Sequence, residues 1–375
     1  MSYFHLNFIL KGKLTVCCLL MLSAMPLNAQ REAKQIGDFK ESISLNEHLR
    51  GTKRTLQYRP DGDEFVCVNG KNRYTRALYG SHSPFRVETS DRPVFAFYNN
   101  GRGGNISFKV ILRDGTELAL DCTGHCESRY SAGKRTYYLT DPSWGKGELR
   151  ISVLALADMD GAIWRFSPSN MPKGAILRWQ HGGATGKRLS RNGDMGVDPA
   201  DCFELPVEAT DLVTGELPLQ KEVYLVRGEV PEDYNVRKLY QQAEAASLAL
   251  ASHLKIETPD PYLNTLGGAL VAAADGIWDG QVWLHGAIGW RMPLSGWRAG
   301  YTGDALGWHD RARTHFDAYA ASQVTDVPNT IPHPAQDSTM NLARSEKRWG
   351  TPQYSNGYIC RNPERNNQMH HYDMN

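Results

Sequence analysis

A chain of 375 residues with 42 basic and 41 acidic side chains, 22% charged and 41% hydrophobic, has room for about two to three domains, each with its own core. Its near-zero net charge argues against a nucleic-acid binder, which carries a basic surplus to displace counterions from phosphates. Ordinary hydrophobicity and charge exclude a disordered chain and a multi-span membrane protein.

At the N-terminus, Lys11 and Lys13 precede the apolar run from Leu14 to Leu22, followed by Ser23, Ala24 and Pro26. A basic region, a short apolar run and a small residue at Ala29 form the layout of a secretory signal over residues 1–29. The run is shorter than the ~20 residues needed to cross a bilayer, so no stable membrane span is expected. The mature protein is expected to be exported, periplasmic or extracellular. Cleavage leaves Cys67, Cys122, Cys126, Cys202 and Cys360. In an oxidising compartment Cys122 and Cys126 either pair across a turn or remain inert thiols. With no second ligand pair at matching spacing, a zinc site is not expected.

Residues 30–230 read as strands and tight turns. Asp61-Gly62, Asn69-Gly70, Asn100-Gly101, Asp114-Gly115, Asp160-Gly161 and Asn192-Gly193 are hairpin dipeptides that tolerate positive φ. Between them lie β-branched and aromatic runs: Glu64 to Val68, Val94 to Tyr98, Ile106 to Leu112, Arg135 to Leu139, Leu149 to Ala155, Ile163 to Phe166 and Lys221 to Val226. Ile106, Phe108, Val110 and Leu112 alternate with period two, as in a half-buried strand. Spaced strands with turn signals over this length predict an antiparallel β-sandwich or barrel.

The period then changes. Over residues 231–257, Val236, Leu239, Tyr240, Ala243, Ala246, Leu250 and Leu254 form the apolar stripe of a linker helix. Thr258-Pro259-Asp260-Pro261 stops it, and Asp260 with Pro261 is the start signal of a second helix. That helix carries the stripe Leu263, Leu266, Ala269, Leu270, Ala273, Ala274 and Ile277. A loop of some 25 residues is expected next, then a third helix from Asp304 to Gln323 along Trp308, Ala312, Phe316 and Tyr319. Asp304 is expected to cap it, and Asp310 to pair with Arg313.

The loop from Asp279 to Asp304 is the most informative stretch. Six of the nine tryptophans, Trp278, Trp283, Trp290, Trp297, Trp308 and Trp349, lie in the last third of the chain. Flat aromatic faces stack on the apolar faces of sugar rings while Arg, His and Asp satisfy hydroxyls at the rim. The competing reading is an aromatic core that staples the loop to the helices. On the first reading the substrate-binding residues are Trp283, His285, Trp290, Arg291, Trp297, Arg298, Tyr301, Asp304 and Trp308.

A strand-rich domain, a linking helix, and Thr258-Pro259-Asp260-Pro261-Tyr262-Leu263-Asn264 opening a helical hairpin resemble the six-hairpin glycosidases. Gly289-Trp290-Arg291, Gly296-Trp297-Arg298, Gly303 to Trp308 and the terminal His370-His371-Tyr372-Asp373-Met374-Asn375 carry the resemblance. The chain is similar to an uncharacterised secreted family of gut Bacteroidetes. The resemblance implies an N-terminal antiparallel β-sandwich, a linker helix, then over 258–375 the first hairpin of an incomplete (α/α)6 toroid, a ring of about twelve helices. It also implies that the loop walls a sugar funnel, with His371 lining it and Asp373, Asn375 or Asp304 as weak catalytic candidates. Glycoside hydrolysis needs two flanking carboxyl groups, and no such acid/base pair is legible.

The expected function is therefore the N-terminal portion of a secreted glycoside hydrolase with a glycan substrate, little active by itself. A non-catalytic carbohydrate-binding protein is the alternative, and a polysaccharide lyase using Arg291 and Arg298 the second. No cofactor, metal or nucleic-acid partner is expected. Asn99 to Gly104 lacks the helix a nucleotide loop requires. Asp158-Met159-Asp160-Gly161 lacks the remaining ligands of a calcium loop.

Overall fold

The computed structural model describes residues 57–71, 74–99, 102–188, 212–231, 233–286, 288, 296–323, 325 and 359. Two compact units divide the chain, residues 1–59 and 60–375, and the second carries the sandwich and the helices.

The strands run β1 (Arg59–Asp61), β2 (Glu64–Val68), β3 (Tyr74–Leu78), β4 (Arg86–Ser90), β5 (Phe95–Asn99), β6 (Arg102–Ile111) and β7 (Glu117–Ala119). They continue as β8 (His125–Ser131), β9 (Lys134–Thr140), β10 (Glu148–Ala155), β11 (Gly161–Ser169), β12 (Ile176–Arg188), β13 (Val213–Pro218) and β14 (Val223–Gly228). One sheet has the order β1-β2-β8-β9-β10-β11-β14, the other β13-β12-β6-β5-β4-β3 with β7 beside β6. All the registered pairs are antiparallel.

Turn chemistry sets much of this order. Gly62 at φ +60° and Gly115 at φ +86° turn the β1–β2 and β6–β7 hairpins, in the left-handed region that costs glycine nothing. Asn69-Gly70 does something else. It ends β2, and because β2 and β3 belong to different sheets, this turn crosses the sandwich instead of closing a hairpin. Asn100-Gly101 and Asn192-Gly193 lie outside the described residues.

The sheets share one core in which Ile106, Phe108 and Val110 point inward while Lys109 faces solvent. Phe95 is its hub. Its ring lies 5.8 Å from Phe108 within its own sheet, and 5.8 Å from Tyr137 and 5.6 Å from Trp164 of the opposite sheet, all edge-on.

Helix α1 (Val236–Ala251) lies against the outer side of β10, β11 and β14, burying Tyr240 and Ala243 with Leu154, Leu156 and Ile163. Arg165 stacks 4.2 Å from the Tyr240 ring, and Lys134 bonds Glu244 at 2.5 Å. Helix α2 (Pro261–Gly276) begins as its sequence predicts, with Asp260 accepting from the Tyr262 backbone N–H at 2.8 Å.

Its buried side differs from the expected stripe. Thr265, Gly267, Val271, Ala272, Ala274 and Gly276 face inward, while Leu263 and Leu270 are 46% and 50% exposed. Close approach is the reason. A Cβ on Gly267 would meet the Leu254 carbonyl at 2.7 Å, and one on Gly276 the Tyr79 ring at 2.2 Å, so the helix docks by its smallest residues. Helices α3 (Gly296–Ala305) and α4 (His309–Ala321) complete the described set.

Cys67, Cys122 and Cys126 are free thiols. Cys126 is a core residue whose pKa burial pushes up to about 12, whereas Cys122 sits exposed on the preceding turn. The two side chains thus occupy different environments and do not pair with each other. Alkylation of the native protein near pH 8.5 is expected to label Cys122 and spare Cys67 and Cys126 until denaturant is added, as read by peptide mass spectrometry. Trp164→Ala is expected to cost about 3–5 kcal/mol in urea unfolding, and Leu270→Ser less than about 0.5 kcal/mol.

Candidate functional site

Asp279 shapes the start of the tryptophan-rich stretch. Its Oδ1 accepts from the backbone N–H groups of Gln281 and Val282 at 2.9 and 2.7 Å, with Gly280 at φ +97°. The turn brings Trp278 and Trp283 into an antiparallel bridge, their rings 4.6 Å apart. Trp283 is only 2% exposed; its indole N–H donates to the Ala274 carbonyl at 3.0 Å. Its backbone N–H donates to Nδ1 of the fully buried His315 at 3.3 Å. Face and polar edge are both consumed, so Trp283 belongs to the stapling core and is corrected from a substrate platform to a structural residue.

The expected 25-residue loop is shorter than its composition suggested, because residues 296–305 form α3. Glycines make that helix possible where it lies. A Cβ on Gly303 would come within 2.0 Å of the Trp283 ring, and one on Gly300 within 2.2 Å of the Phe316 ring. Packing thus overrides the poor helix propensity of three glycines in ten residues.

Asp304 accordingly sits in the last turn of α3, not at the cap of a helix running to Gln323. Gly307, at φ +75°, separates α3 from α4, and the residue before α4 is Trp308, which makes no side-chain cap. At a helix C-terminus a carboxylate opposes the dipole; here Asp304 Oδ1 instead pairs with His309 Nδ1 at 2.5 Å. The expected Asp310–Arg313 pair does not form among the described residues. Arg311 takes the ionic role, reaching back to Asp275 at 2.7 Å.

Asp275, in the last turn of α2, joins side chains from two distant segments. Oδ1 accepts from Arg311 Nη1 at 2.7 Å and bonds His82 Nε2 at 3.1 Å. Burial works to raise its pKa, but the hydrogen bonds from His82 and Arg311 outweigh burial and hold the carboxyl below its ordinary range. Arg311 in turn lies 4.6 Å over the Trp308 ring and 5.8 Å from Trp278. Trp308 also stacks on Trp283 at 6.5 Å and meets His253 at 5.3 Å. Neither Asp275 nor His82 has a sequence signature, since 193 residues separate them.

Outside this brace lies an exposed rim. Tyr301 is 66% exposed and three residues before Asp304, so the two share a face of α3. The Asp304–His309 pair and half-buried Trp308 adjoin it. An exposed aromatic residue, a carboxylate and an imidazole therefore lie on the solvent side of the α3–α4 junction. His285 is exposed, further back along the chain. Trp297 and Arg298 belong to the first turn of α3 without described side chains. Trp290, Arg291, His371, Asp373 and Asn375 lie outside the described residues.

Among the described residues no group of three or more His, Cys, Asp or Glu side chains is placed to hold a metal ion, and no helix is long and apolar enough to cross a membrane. Residues 100–229, covering β6 through β14, match the model of a domain of unknown function, DUF4450. No curated protein matches the chain.

Asp275→Asn is expected to lower stability by about 2 kcal/mol near neutral pH, the scale of hydrogen bonds to a charged group. The folded pKa is depressed, so this contribution is complete above the unfolded value of about 3.9 and is lost as pH falls through the folded one. Urea unfolding of both proteins from pH 7 to pH 3 should show the gap closing only on the acid side of about pH 4.

Proposed function

We propose that the chain supplies the sandwich and leading helices of an exported glycan-degrading enzyme, and that its described part binds glycan without cleaving it. The observation that carries this reading is the rim at the α3–α4 junction. Tyr301 is 66% exposed, and the Asp304 carboxylate and His309 imidazole, bonded to each other, lie at the same junction with half-buried Trp308. Sugar rings need that mixture of an apolar face and polar edge. Two antiparallel sheets followed by packed helices support the resemblance to a sandwich-plus-toroid glycosidase. The outward leucines Leu248, Leu263 and Leu270 give α1 and α2 an apolar outer face, which further helices of such a ring would cover.

Cleavage asks for a proton donor and a second carboxyl group across the scissile bond. Asp275 is held ionised between Arg311 and His82, and Asp304 is engaged with His309. Both carboxyl groups are engaged by side chains of the chain itself, which favours the non-catalytic carbohydrate-binding reading for the described residues.

A glycan array combined with a reducing-sugar release screen tests the proposal. Binding without turnover is expected. Tyr301→Ala should weaken binding by about 1 kcal/mol, roughly fivefold, with an unchanged melting temperature. Absence of binding to every glycan class, or binding indifferent to both Tyr301→Ala and Asp304→Ala, overturns it.

A further inference from the structure

Two regions away from the rim differ in chemistry. One is a cavity of about 470 Å³ between β3 and the α1–α2 pair, its helical wall mostly alanine and leucine, where Asp275 is already answered by Arg311 and His82. The other lies at the open edge of the sandwich, where β14 ends one sheet and β12 and β13 end the other. It holds a guanidinium, Arg227, that no carboxylate answers among the described residues.

Register fixes the face on which Arg227 stands. It sits opposite Ala162, as Leu225 sits opposite Trp164 and Val223 opposite Phe166, so it continues the inward face of β14. On the other sheet Trp179 and His181 stand opposite Phe108 and Ile106 and share their inward face. Arg227 reaches across to both. Its guanidinium lies 5.1 Å from the Trp179 ring centroid, and its Nε–H donates to His181 Nδ1 at 3.0 Å. Each partner is seated in turn. Gly215 leaves room for the Trp179 ring, which a Cβ there would meet at 2.6 Å, and the Phe97 ring lies 5.2 Å from His181. Arg227, Trp179 and His181 are all half-buried, so the cation is partly desolvated without being sealed from solvent.

Other arginines of the chain are answered: Arg129 by Asp61, Glu64 and Glu127, Arg178 by Glu117 and Glu216, Arg311 by Asp275. At Arg227 burial lowers the pKa, and the neighbour acting against it is the phenol of Tyr234, 40% exposed, instead of a carboxylate. With Nε committed to His181, the two Nη groups make no hydrogen bond among the described residues. They form an end-on planar fork, which fits both oxygens of one carboxylate. We propose that Arg227 binds the carboxylate of an acidic sugar residue, with His181 and Trp179 holding the guanidinium in place. The sugar part rests on the glycan reading above, whereas the carboxylate part rests on this edge of the sandwich.

Isothermal titration of the full chain with tri-galacturonate, and with its fully methyl-esterified form as the uncharged control, provides the measurement. Saturable binding of the acid, about tenfold tighter than the ester, is expected. Arg227→Met should bring acid and ester within about twofold of each other, at a melting temperature near that of the parent. Arg227→Lys, which keeps the charge without the fork, should lose most of the preference as well. Tyr301→Ala should leave the preference intact. No saturable binding of the acid, equal affinity for acid and ester, or an acid preference that survives in either Arg227 variant overturns the proposal. A preference lost in Tyr301→Ala and kept in Arg227→Met also overturns it, while sparing glycan binding at the rim. Acid binding that needs Arg227 but is indifferent to Tyr301→Ala and Asp304→Ala supports it even where the rim reading fails.

Discussion

One carboxylate joins the later helices to the sandwich, beyond the apolar seat of α1. Asp275 ends α2, receives His82 from the loop after β3, and receives Arg311 from α4. Three segments far apart in sequence thereby meet at a single oxygen. The arrangement is costly to break, because removing one member leaves a largely buried charge without its answer. It also sets geometry further out. Arg311 is clamped from below by Asp275 and from the side by Trp308 and Trp278, so the orientation of α4 follows from the position of the α2 C-terminus.

A second joint reinforces the first at the other side of the same loop. Ser81 and Ser83 both donate to Asp160 Oδ1, at 2.6 and 2.5 Å. Asp160 lies in the β10–β11 turn, so the segment that presents His82 is tied to the first sheet while originating in the second. The loop between β3 and β4 is thus a rigid bracket, and the helices dock on a surface already fixed by the sandwich.

Local chemistry made much of this legible beforehand. The hairpin glycines at 62 and 115, the period-two run of β6 and the Asp260–Pro261 helix start are each decided within a few residues, and each was readable. The first half of the α1 stripe was too: Val236, Leu239, Tyr240 and Ala243 pack on the sheet, whereas Ala246 of the same stripe is exposed. Where neighbours decide, sequence pattern misled. Residues 296–305 have loop-like composition, yet Gly300 and Gly303 serve as seats for Phe316 and Trp283, and the segment is helical. For α2, leucines marked the wrong face, since contact distance selected glycine and alanine for the interface. Tryptophan density announced a binding loop, whereas Trp278 and Trp283 are buried and hold it in place; Tyr301 and Phe316 are the more exposed aromatics among the described residues there. The His82–Asp275 bond depends on tertiary proximity alone and leaves no trace in spacing.

Asp275 also explains how two chemically different surfaces coexist in one small region. Its side chain borders the aliphatic cavity, and through Arg311 it supports Trp308, whose neighbour His309 pairs with Asp304 on the rim. The helical wall of the cavity is lined largely by alanine and leucine, whereas the rim at the α3–α4 junction around Gly307 is polar and aromatic. A change at Asp275 therefore reaches both surfaces through the fold.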